Sequence, residues 1–151
     1  MVVRFSLAEG GHFPKDTLKS AEPAKNMIFF SPRPLRLKSE CRVKISLQER
    51  KSGELLSDSC CAVMVDISVG GACLVLSQML LEGRHLFFST LDSDRYHLVL
   101  EINNPGSSDE SFSISARSVW MDSCHYKKLP AFKMGLCFHE RQKKLFRLFK
   151  R

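Results

Sequence analysis

Apolar and polar residues alternate along much of this chain, in short runs separated by turn residues. Val43, Ile45 and Leu47 alternate with Lys44, Ser46 and Gln48, a period of two that gives a strand one buried and one wet face. Residues 49–54 form a polar turn. A second strand is expected over 61–67, with Val63, Val65 and Ile67 on one face, and Gly70-Gly71 separates it from a third over 72–76. Further strands are expected over 85–90, 96–102, 112–121 and 132–139, with a strong turn at 103–109. Many short strands with frequent turn signals and no intervening helix predict an antiparallel barrel or sandwich. The end departs from this pattern. Residues 140–151 lack Gly and Pro and place Leu145, Leu148 and Phe149 at helical spacing, which predicts a short amphipathic helix covering one mouth of a barrel.

The other end reads differently. Gly10-Gly11, Pro14 and Pro23 punctuate residues 1–26, which are expected to be a flexible segment or linker. Residues 27–151 are expected to form the folded domain. It opens on Ser31-Pro32-Arg33-Pro34-Leu35-Arg36, where two prolines exclude helix and predict a stiff extended arm.

A hydrophobic share of 44% and a charged share of 26% suit a chain that folds around its own core. No run approaches the ~20 apolar residues of a membrane span, and the first residues lack the apolar stretch of a secretion signal. A cytoplasmic protein with no membrane insertion is expected. The six cysteines form no CxxC pair. Zinc sites draw on closely spaced ligand pairs, so free thiols and no metal are expected. The net charge of +7 favours an anionic partner.

One short segment carries chemistry. In a strand, residues two apart share a face, so Asp66 and Ser68 would present a carboxylate and a hydroxyl together, with Gly70 and Gly71 giving backbone room for a turn or a ligand. A carboxylate accepts hydrogen bonds from the N–H and NH₂ groups of guanine's Watson–Crick edge. A turn that satisfies its own backbone would use the same residues. In the arm, polyproline geometry places Arg33 and Arg36 on one side about 9 Å apart, a clamp suited to two phosphates or to a guanine edge. A solvated basic linker is the alternative.

Taken in order, these features resemble the PilZ family, which carries an RxxxR arm, a first strand, then D/N-x-S-x-x-G after the second strand. The second motif is complete in Asp66, Ser68 and Gly71. Ser118-Val119-Trp120 and residues 134–138 look like the family's late strands, and the resemblance runs from about residue 28 to the C-terminus. It implies a mainly β fold: a six-stranded antiparallel barrel with a C-terminal helix. It also implies cyclic di-GMP as ligand, held by Arg33, Arg36, Asp66 and Ser68 with Gly70 and Gly71 shaping the turn, and a signal passed to an effector protein by an ordering of the arm. Trp120 would lie beside the ligand or in the core. The arm departs from the family pattern, since Pro32 stands four residues before Arg36 and the spacing reads RxxR.

No GxSxG, P-loop, HExxH or GxGxxG pattern is present, so no catalytic residues and no cofactor are expected. Three readings remain: a cyclic di-GMP receptor acting on a partner as monomer or dimer; a degenerate PilZ adapter that does not bind the nucleotide and works through protein contacts, as in pilus assembly; and a nucleic-acid-binding barrel. The last is not expected, because Phe29-Phe30 and Phe87-Phe88 are not interleaved with Lys and Arg.

Overall fold

The structure, a computed structural model, describes residues 2–4 and 35–150. Arg33 and the 26/27 domain boundary lie outside the described residues. The strands are β1 (Val2–Arg4), β2 (Leu37–Glu49), β3 (Cys60–Ile67), β4 (Gly71–Leu76), β5 (Leu80–Leu81), β6 (Arg84–His85), β7 (Tyr96–Asn104), β8 (Ser107–Tyr126) and β9 (Leu129–Phe138). The helices are α1 (Leu86–Thr90), between β6 and β7, and α2 (Lys143–Phe149).

Antiparallel pairing runs β8-β7-β2-β3-β4-β9, and β9 returns to β8. Six strands therefore close into a barrel-like ring. The long β8 makes the closure possible. Its first half pairs with β7 and its second half with β9, and Ala116 is opposite Leu98 on one side and Phe138 on the other. β1 adds to β8 opposite Trp120, Met121 and Asp122.

The expected alternation of β2 is realised: Val43, Ile45 and Leu47 point into the ring and are buried. Leu98, Leu100 and Ile102 of β7 face them, and Leu74, Met134 and Leu136 complete the wall. Both helices contribute to the same core, through Leu86 and Phe87 of α1 and Leu145 and Phe146 of α2. Truncating any of the large ones to Ala would cost about 2–5 kcal/mol.

Three local expectations are corrected. Beyond His85, residues 86–90 are not a strand. Leu86 and Phe87 are consecutive and both fully buried, which a strand with one inner face cannot provide. A helical turn can, with the His85 imidazole accepting from the Phe88 N–H and the Thr90 hydroxyl donating to the Leu86 carbonyl. The C-terminal helix is shorter than expected: the Gln142 backbone before it is not helical (φ −106°, ψ 65°), and its N–H donates to the Val69 carbonyl. Phe146, rather than Leu148, joins Leu145 in the core.

In β3 the inward residues are Ala62, Met64 and Ile67, not Val63 and Val65. Met64 is opposite Leu74 and Asp66 opposite Cys73, so Val65 is an extra residue on β3. That bulge resets the parity of the strand, which a period-two reading cannot anticipate.

Candidate functional site

The same irregularity occurs three times at one level of the ring. β2 carries an extra residue between Lys38 and Cys41, opposite Asp66 and Met64. β3 carries Val65. β8 carries Val119, between Ser118 opposite Leu136 and Trp120 opposite Gly135. These breaks flank a single cross-strand row, Lys38–Asp66–Cys73–Gly135–Trp120. Bulges re-aim side chains and are enriched beside functional sites. Here the breaks in β3 and β8 turn Asp66 and Trp120 to the outer wall and return Ile67 and Met121 to the inside.

Arg36 lies just before β2, and its guanidinium donates to the Asp66 carboxylate at 2.6 Å. Arg36 is 51% exposed and Asp66 28%. The arm arginine and the acidic motif residue, thirty positions apart in the chain, therefore meet on one surface. An ion pair this exposed contributes about 0–1 kcal/mol, so a ligand offering better geometry can take over either partner at small cost.

Ser68 lies elsewhere. It is 2% exposed, its hydroxyl accepts from the Gly71 N–H and donates to the Gly71 carbonyl, and its own N–H donates to the same carbonyl. It is turned inward rather than displayed beside Asp66, and it holds the adjoining loop. The two glycines differ as well. Neither has a positive φ. A Cβ at Gly70 would meet nothing within 4 Å, whereas one at Gly71 would lie 2.2 Å from the Leu136 carbonyl oxygen. Gly71 is required for the close approach of β4 to β9, not for a special turn conformation.

Along the row, the indole of Trp120 lies against Gly135: a Cβ there would sit 2.1 Å from its Nε1. The indole edge is thus about two strand spacings, roughly 10 Å, from Asp66. Between them sits Cys73, whose thiol is pushed up to about 11, by burial first and then by the Asp66 charge, with Lys133 and Arg36 opposing. Those opposing influences place Lys133 and Arg36 close to the same spot and give the row a positive border. Gly135, Lys133 and Cys73 were not singled out from sequence. A glycine inside a strand is itself a sign of close approach, but only the fold shows that Trp120 fills the space.

The loop is tied to the C-terminal end of the ring. The Phe138 N–H donates to the Gly70 carbonyl and the Gln142 N–H to that of Val69, joining the Ser68–Gly71 turn to the segment leading into α2. All six cysteines are free, and among the described residues no three His, Cys, Asp or Glu side chains gather so as to hold a metal. Among the described residues no helix is long and apolar enough to cross a membrane.

Six antiparallel strands in a ring with a C-terminal helix form the PilZ-type architecture that the sequence resemblance implies. No family model and no curated protein matches the chain. Among solved structures, it is similar to the PilZ domain with c-di-GMP of YcgR from Escherichia coli, at 12% identity and a TM-score of 0.48, over 78% of this chain and 85% of that one. It is also similar to the Borreliella burgdorferi PlzA protein in complex with c-di-GMP, at 13% identity and a TM-score of 0.49, over 78% of this chain and 50% of that one. K. pneumonia MrkH in its apo state matches at 17% identity and a TM-score of 0.45, over 80% and 48%. The chain thus spans about half the length of the latter two.

Proposed function

We propose that this chain is a cyclic di-GMP receptor that reports ligand binding to a partner protein. The observation that carries the reading is the meeting of Arg36 with Asp66 at 2.6 Å on the outer wall. In this reading Asp66 accepts from a guanine edge, Arg36 leaves its weak ion pair to grip phosphate or guanine, and Lys38 and Lys133 supply positive field for the diester. Arg33 would add a second guanidinium from the arm. Ser68 and Gly71 act on the ligand only through the loop they hold. The hydrogen bonds from that loop to Phe138 and Gln142 supply a route by which ligand-induced movement reaches α2, whose exposed Lys143 and Arg147 suit an acidic partner surface.

Calorimetry tests the reading. The wild type is expected to bind cyclic di-GMP saturably, and Arg36→Ala and Asp66→Asn to weaken it roughly ten- to hundredfold, the loss of one charge-assisted hydrogen bond each. Absence of binding by the wild type would overturn it in favour of an adapter that works through protein contacts alone.

A further inference from the structure

A second polar site lies away from the row, where the end of β2, the start of β7, the middle of β8 and the residues after β9 converge. It is a cleft of about 400 Å³ whose lining includes Arg50, His97, Ser113, Ser115, His139, Glu140 and Gln142. That volume is within the range of small-molecule sites, ~300–1,000 Å³. Neither Arg36 nor any residue from Asp66 to Gly71 lines it, so this cleft is distinct from the cyclic di-GMP site proposed above.

The groups here are poised and unspent. The His97 and His139 rings meet edge to face with centroids 5.4 Å apart. Gln48 donates through its amide nitrogen to the Gly53 carbonyl, so its amide oxygen is the atom 2.5 Å from His97 Nε2. This fixes the proton on Nε2 and leaves Nδ1 to gain one. His139 is held in part by a hydrogen bond to the Ala116 backbone. Among the described residues, the Arg50 guanidinium makes no ion pair and the Ser113 and Ser115 hydroxyls have no hydrogen-bond partner. Glu140 brings the one carboxylate of the lining.

We propose that this cleft binds a phosphate-bearing small molecule, through the Arg50 guanidinium, the His97 and His139 imidazoles and the Ser113 and Ser115 hydroxyls. Arg50 offers a bidentate fork for phosphate, and each imidazole becomes a donor at its second nitrogen once protonated. The lining itself resists that protonation. His97 is held below its ordinary value by burial first, then by His139 and Arg50, and His139 by burial first, then by Arg50 and, less, by Arg117, against its raising bond to Ala116. A dianion supplies the missing counter-charge, so binding takes up protons and strengthens as pH falls.

The test follows the histidine side-chain NMR signals of the full chain. Inorganic phosphate is the binding probe. Sulfate, dianionic throughout, is titrated at about pH 6 and about pH 8, either side of the ordinary imidazole value of ~6.5, against chloride at matched ionic strength. Saturable movement of both His97 and His139, with sulfate bound about tenfold or more tightly at the lower pH and weakened about tenfold by Arg50→Gln, is the expected result. No saturable response, or equal sulfate affinity at both pH values, overturns the proposal, and both readouts use the wild type, so no variant's folding decides the outcome. Co-sedimentation with phosphatidic acid vesicles separates the sources: the chain is expected to stay in solution, and pelleting without any response to inorganic phosphate would overturn a soluble ligand.

Discussion

Gly70 and Gly71 are adjacent, and the structure gives them opposite tolerance to a single methyl group. At Gly71 the added Cβ would lie 2.2 Å from the Leu136 carbonyl oxygen, roughly 1 Å inside the ~3.3 Å closest carbon–oxygen approach. That oxygen is backbone in β9, the strand to which β4 pairs from Gly71 to Leu76. It cannot rotate away as a side chain would, so the two strands must part or the ladder must shear. Overpacking of this kind costs about 1–3 kcal/mol. At Gly70 the same methyl meets nothing within 4 Å and φ is not positive, so Gly70→Ala is expected to be neutral or stabilising by about 0.4–1 kcal/mol through the unfolded chain. Urea unfolding of the two variants and the wild type checks this: Gly71→Ala lowers the midpoint at unchanged slope and Gly70→Ala does not. If Gly71→Ala is as stable as Gly70→Ala, the close β4–β9 approach at the loop is wrong, and so is the role given to Gly71.

Gly135→Ala places a methyl 2.1 Å from Trp120 Nε1; since the chain has one Trp, the displacement is read directly as a changed emission maximum, and an unchanged spectrum contradicts it. Burial lowers His85, His97 and His139 below 6.5, so the unfolded chain takes up these protons first. Stability is then fully present above about pH 6.5 and is lost as pH falls below it, with the lowered Glu40 and Glu110 adding their loss only near and below 4.5; a melting temperature that rises as pH falls below about 6.5 refutes this. The Cys73 thiol, raised to about 11 and buried, is expected to alkylate much more slowly at neutral pH than exposed Cys61, as peptide mapping of iodoacetamide adducts would show.

Alternation alone carried the wall of the ring: β2, β7 and β9 bury the residues that a period of two assigns to the inside. It failed at Val63 and Val65, because one extra residue in β3 reverses the parity and nothing in a short apolar run marks where that residue falls. It failed again at residues 86–90, where Leu-Phe-Phe fits a strand and a helical turn equally well and only the burial of both Leu86 and Phe87 decides. Within the site, Asp66 and Arg36 were legible as chemical types, and their proximity follows from the β2–β3 register. Ser68 was legible as a member of the motif, but its inward hydroxyl realises the self-satisfied turn that was the competing reading of the same residues. Cys73 and Lys133 carry no local signal and Gly135 only that of a glycine within a strand, since what brings them near Asp66 is pairing across β3, β4 and β9.

In the proposed reading cyclic di-GMP lies along the row from Asp66 to Trp120, which makes Trp120 a built-in reporter. A fluorescence titration with cyclic di-GMP is expected to give a saturable change in Trp120 emission that disappears in Asp66→Ala while the variant's melting temperature stays near that of the wild type. Saturable binding seen by heat but silent at Trp120, or unaltered by loss of Asp66, would put the nucleotide elsewhere on the protein and contradict the account.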